Sequence, residues 1–127
     1  MLAELRKAVR DDLAAGDVKA FDYLGEALTP PCAVVVPAEP YLRTPKGAPG
    51  EPVPFRKVLA GIDVLLLVPR GEAKAEAAAM DQLVESAYVA LKQNHEIGAV
   101  SRPGVVTVSG SKFVGSVLSI EALAEEP

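Results

Sequence analysis

The chain opens with apolar residues Leu2, Leu5, Val9 and Leu13 at spacings of three, four and four, with Arg6, Lys7, Arg10, Asp11 and Asp12 between them. That period puts one apolar stripe on a helix, predicted over 1–15, with Gly16 ending it. The run VKAFDYL (18–24) is short and carries two aromatics, and predicts a first strand. Thr29-Pro30-Pro31 interrupts, because proline has a fixed φ and lacks a ladder donor. CAVVV (32–36) is continuous and β-branched, the pattern of a buried strand, and Pro37 is expected to close it.

Between Pro37 and Pro54 neither period survives. Eight of the eleven prolines fall between Pro30 and Pro54. The stretch AEPYLRTPKGAPGEP therefore predicts a long, stiffened loop, and loops of this length in compact domains are usually functional or disordered. Strand pattern returns over Phe55–Val68. Val58, Ala60, Ile62, Val64, Leu66 and Val68 share one face, while Arg56, Lys57 and Asp63 mark the start and the opposite face. Leu65 and Leu67 on that opposite face imply that the far half is covered on both sides.

The segment Glu72–Asn94 predicts a long helix, rich in alanine, with glutamates in its first turn and an apolar stripe of Met80, Leu83, Val84, Ala87, Tyr88 and Leu91. Gly98 and Arg102-Pro103-Gly104 are expected to lie in a connection. Val105–Ser109 and Lys112–Leu123 then flank Gly110-Ser111, the expected two-residue hairpin turn. The order α-β-β-β-α-β-β describes one α+β domain over residues 1–127. One mainly antiparallel sheet of about five strands packs with two helices.

Composition narrows the function. Half of the 127 residues are apolar and 24% are charged, which excludes a wholly disordered chain. The longest bulky apolar run, Val64–Val68, falls far short of the ~20 residues a bilayer requires. No basic segment followed by an apolar one opens the chain, so no secretory leader is expected. A net charge of −4 argues against a protein whose main task is gripping nucleic acid. The aliphatic richness points to surface covered in an oligomer.

Candidate chemistry is sparse. One cysteine, Cys32, and one histidine, His95, make neither an internal disulfide nor a Cys/His metal site. His95 has only Asp22, Glu96 and Asp63 as conceivable helpers, none at a motif spacing, and reads as a polar helix terminus near the last carbonyls. Cys32 opens an apolar strand and reads as a buried thiol. The acid pairs Asp11/Asp12, Glu72/Glu76 and Asp81/Glu85 read as solvated helix faces. GAPG (47–50) with Lys46 lacks the spacing of a phosphate loop. No catalytic set, metal site or cofactor is expected. The remaining candidate is the segment Pro37–Pro54, read as a proline-stiffened arm that presents Tyr41, Leu42, Arg43, Lys46 and the adjacent Phe55 to another subunit.

The blocks FDYLGEALTPPCAVVVP, FRKVLAGIDVLLLVPRGEAKAEAAAMDQLVESAYVAL and VVTVSGSKFVGSVLSIEAL, after the amphipathic opening and around the proline-rich gap, together resemble the tail-terminator (head-tail joining, or tail-completion) proteins of long non-contractile-tailed bacteriophages. The resemblance implies a virion protein at the head-proximal end of the tail, assembled in the host cytoplasm. It implies a ring, usually a homohexamer, whose partners are the tail tube protein and the head-side connector or stopper protein. DNA would pass its lumen without specific binding, and no membrane is involved. Two readings stand beside it: another neck or head-closure joint of the same particle, and a cellular small-ligand-binding regulatory domain. A small enzyme would require His95 and Asp22 to converge in a cleft.

Overall fold

The structure, a computed structural model, describes residues 2–24, 28–44, 50 and 57–125. The elements are α1 (Leu2–Ala15), β1 (Ala20–Phe21), β2 (Cys32–Arg43), β3 (Lys57–Pro69), α2 (Ala73–Leu91), β4 (Glu96–Val100), β5 (Gly104–Val108) and β6 (Ser111–Glu125). They form the expected α+β fold, two helices on one sheet, with six strands instead of five. The sheet runs β1-β2-β3-β6-β4, and β5 also pairs with β6. Only β1 lies parallel to its neighbour. Strands β4 and β5 share one flank of β6, which is long enough to take both: β4 pairs with residues 118–121 and β5 with residues 111–115.

Strand alternation and helix period meet on one face of the sheet. Val9 and Leu13 from α1, and Met80, Leu83, Ala87 and Leu91 from α2, bury against Ala33, Val35, Ile62, Val64, Leu66, Leu118 and Ile120. The opposite face carries a smaller core of Cys32, Val34 and Leu67, packed by Phe21, Leu28, Val106 and Phe113. Two cores explain why β2 and the far half of β3 read as continuous apolar runs. Each fully buried Leu, Ile or Val contributes roughly 1.5–3 kcal/mol.

Local chemistry fixes the helix ends. Gly16 closes α1 with its N–H on the Leu13 carbonyl at 3.0 Å. The left-handed residue there is Asp17 (φ 62°), not Gly16. Gly16 is required by packing instead, since a Cβ would stand 2.6 Å from the Ala90 Cβ of α2. At the start of α2 the Glu76 carboxylate accepts the Gly71 N–H at 2.8 Å and the Arg70 Nε at 2.9 Å. The Gly71 N–H, followed by Arg70, holds the Glu76 carboxyl below the usual carboxylate range against a smaller opposing cost of burial.

Four expectations are corrected. The first strand shrinks to Ala20–Phe21. Strand β2 does not stop at Pro37 but runs to Arg43, because its outer edge is one where proline's missing donor costs little. The expected connection after α2 contains a strand, β4. The hairpin turn is Ser109-Gly110, one residue earlier than expected: Val108 pairs with Ser111, and Ser109 (φ 51°) and Gly110 (φ 80°) both take the positive φ of a type I′ turn.

Candidate functional site

The segment Pro37–Pro54 divides. Residues 37–43 belong to β2, while Lys46 and Phe55 lie outside the described residues. Strand β2 pairs with β3 at Pro37↔Ile62 and resumes at Leu42↔Ala60, so Ala38–Tyr41 bulge opposite Gly61 alone. The bulge folds onto the sheet. A Cβ on residue 61 would lie 2.7 Å from the Pro40 carbonyl oxygen and 3.0 Å from the Ala38 Cβ, so only glycine lets the backbone pass.

The expected arm residues point to different places. Tyr41 is half-buried and packs against the main core. Leu42 is 41% exposed. The Arg43 Nη2 donates to both carboxylate oxygens of Glu121 at 2.7 and 2.8 Å, reaching from β2 across β3 to β6. Beside that pair, the Ser119 Oγ donates to Asp63 Oδ1 at 3.1 Å. These groups line a shallow hollow of about 240 Å³ beneath the Pro40 bulge. Two of its acids, Asp63 and Glu121, are each engaged by a donor, and Glu39 also lines it. The hollow is a polar cross-strand clamp.

Beyond the clamp the sheet outruns its core. The buried residues end at Ala60 on β3 and Ile120 on β6. Pairing continues through Leu59↔Leu123 to Lys57↔Glu125. Leu123 is 55% exposed there, opposite the half-buried Leu59 on one face of the sheet, while Leu42 and the half-buried Val58 lie on the other face. Strands β3 and β6 thus run past the buried core, with β2 beside them only as far as Arg43↔Leu59, and carry apolar side chains in reach of solvent.

The other candidates resolve as structural groups. His95 Nε2 lies 2.7 Å from Asp12 Oδ2, and the histidine side chain is 8% exposed. Its backbone N–H meets the Leu91 carbonyl at 2.9 Å, as a helix terminus should. The side chain therefore joins α1 to the exit of α2, and its helper is none of those expected. Asp22 instead takes Arg10 at 3.3 Å, so the acid that would have revived an enzyme is engaged elsewhere. Burial pushes the Cys32 thiol up. Of the acid pairs, Asp11 takes Lys7 and Arg10, Asp12 takes His95 and Glu76 takes Arg70. Sequence reasoning missed the Asp12–His95 and Arg43–Glu121 pairs, whose members stand 83 and 78 residues apart.

Among the described residues no group of three or more His, Cys, Asp or Glu side chains could hold a metal ion, and no helix is long and apolar enough to cross a membrane. The chain matches no family model and no curated protein.

Proposed function

We propose that this chain is a structural subunit of a phage-type tail, forming a ring that caps the tube at its head-proximal end and joins it to the head. The observation that carries this reading is the run of β3 and β6 past the buried core, flanked by β2 as far as Arg43, with Leu42 and Leu123 exposed on its two faces and the Arg43–Glu121 clamp bracing its base. A ring subunit needs a surface that reaches a different surface on its neighbour, because only such a heterologous contact closes around an axis of more than two copies. An extension that carries exposed leucines beyond the core suits that task, and the polar groups beside it match the usual anatomy of interfaces. The net charge of −4 suits a lumen through which DNA slides, since affinity for DNA comes mainly from Lys and Arg. The sequence resemblance to tail terminators supplies the particular assembly.

Particles made without the chain test the reading. Electron micrographs should show tails that overgrow or fail to join filled heads. Normal-length tails attached to full heads would overturn it. His95→Ala should lower stability, by about 1–2 kcal/mol for the lost Asp12 partner, yet leave assembly near normal.

A further inference from the structure

Strand β5 leaves an open edge whose chemistry specifies its occupant. The two-residue turn at Ser109-Gly110 makes Val108↔Ser111 a hydrogen-bonded pair, so in an antiparallel ladder Val106↔Phe113 and Gly104↔Gly115 are also hydrogen-bonded pairs. Gly104, Val106 and Val108 thus turn their backbone groups inward to β6. Val105 and Thr107 turn theirs outward, and β5 pairs with no other strand among the described residues. The strip is bounded: Pro103 before it has no N–H, and Ser109 after it has left the strand with φ 51°. Two donors and two acceptors remain, on GVVTV, a strand without proline or charge. Such an edge is a template for another strand.

We propose that β5 pairs with β5 of a second copy of this chain, antiparallel and centred on Val106. In a hydrogen-bonded antiparallel pair the two residues exchange both bonds. Only a register that sets Val105 against the second copy's Thr107, and Thr107 against its Val105, satisfies all the outward groups of both copies. That register sets Gly104 against Val108 and Val106 against itself, and no charge meets a charge. It also covers Val105, which is 58% exposed, with the β-branched Thr107. The opposite edge of the sheet is less regular: β1 occupies Ala33 and Val34, and Pro37 and Pro40 carry no donors. The contact is isologous and closes at two copies. It is therefore distinct from the head-to-tail contact that a ring requires, and it does not rest on the ring reading.

Single-cysteine cross-linking reads the register. Cys32 is a buried free thiol in the core that Val106 packs against, so the engineered thiols are placed in a Cys32→Ser background. Val106→Cys places two thiols on opposed residues of a non-hydrogen-bonded pair, with Cα atoms roughly 4.5 Å apart. Val105→Cys places them about 8 Å apart by the strand spacing and rise, beyond the reach of a disulfide. Val106 is half-buried whereas Val105 is exposed, so random collision would favour the Val105 thiol. The proposal expects covalent dimer from V106C under mild oxidation and little from V105C. As a second arm, Thr107→Pro removes one outward donor from each copy while leaving every bond to β6. It should weaken dimerisation in sedimentation by roughly tenfold or more, with unchanged thermal unfolding. V105C cross-linking as well as V106C, a wild-type chain that stays monomeric up to its solubility limit, or an oligomer unchanged by T107P would each overturn the proposal.

Discussion

On one flank of the sheet, β2 carries Pro37 and Pro40, a bulge of Ala38–Tyr41, and the short parallel strand β1. On the other, β5 runs Gly104–Val108 with neither proline nor charge, and Val105 stands exposed. The first flank is blunted by the devices that keep edges from pairing: missing donors, a bulge and a covering strand. Its irregularity is also anchored, since the Pro40 carbonyl rests on Gly61 and Arg43 reaches Glu121. The second flank is bare; its register shifts within β4, between Ile97 and Ala99, and it breaks where β4 passes to β5. There the Ser101 N–H donates to the Val117 carbonyl at 2.8 Å, the Val117 N–H donates to the Ser101 Oγ at 2.8 Å, and the Ser116 Oγ donates to the Ser101 carbonyl at 2.6 Å. The difference teaches that prolines concentrated in a sequence can mark a guarded strand as well as a loop.

The largest expected effect is on assembly. Replacing residues 45–52 with a short Gly-Ser loop leaves Tyr41 on the core and Arg43 on Glu121, so thermal unfolding should be near that of the parent. Incorporation into particles should be lost. A folded variant that incorporates normally would remove the proline segment from the docking surface.

Glycines on the two flanks give the sharpest stability contrast. Gly61→Ala drives a Cβ against the Pro40 backbone and should destabilise the chain by about 1–3 kcal/mol in urea unfolding. Gly104→Ala meets nothing within 4 Å and should change stability by less than about 0.5 kcal/mol. Equal effects at the two sites would break the comparison.

Ser116→Ala removes the hydroxyl that donates to the Ser101 carbonyl at the junction of β4 and β5. Ser116 is buried, and the loss should cost about 1–2 kcal/mol. At the guarded flank, Arg43→Ala breaks an ion pair whose side chains are 39% and 49% exposed, so the cost should be only about 0.2–1 kcal/mol and should shrink in salt. A larger Arg43 effect that salt leaves untouched would make the clamp a core feature.

The smallest effect is a pH signature. Glu76 lies beside Pro103, where α2 begins over the junction of β4 and β5. Its folded carboxyl titrates lower than in the unfolded chain, chiefly through the Gly71 N–H. Its stabilisation is therefore complete above the ordinary carboxylate range and is lost as pH falls through the lowered folded value. Glu76→Gln should flatten that part of the stability–pH curve. An unchanged acid limb would show that the Gly71 contact contributes nothing.

Much of the fold was legible in the chain. The stripe Leu2, Leu5, Val9, Leu13 places α1, of which Val9 and Leu13 are buried, and the alternation Ala60 to Val68 places β3. Strand β4 was not legible, because its irregular register between Ile97 and Ala99 leaves its apolar residues Ile97 and Val100 three apart, a helical interval inside a strand. The extension of β2 was hidden because proline reads as a ladder breaker, and only the sheet's topology reveals an outer edge. Of the candidate site, Arg43 was read as a cation presented to another subunit, whereas the structure pairs it with Glu121 of its own sheet. Its partner Glu121 was not legible, since register between distant strands decides who meets whom. The same holds for Asp12, which one-dimensional spacing assigned to a solvated face.

The ring reading stands or falls on one image: axial class averages of tails assembled with this chain. The account predicts a closed six-fold ring of this protein at the head-proximal end of the tube, with the β2–β3–β6 ribbon in its subunit or tube contacts. Density for the chain elsewhere on the particle, or in another symmetry, would contradict it.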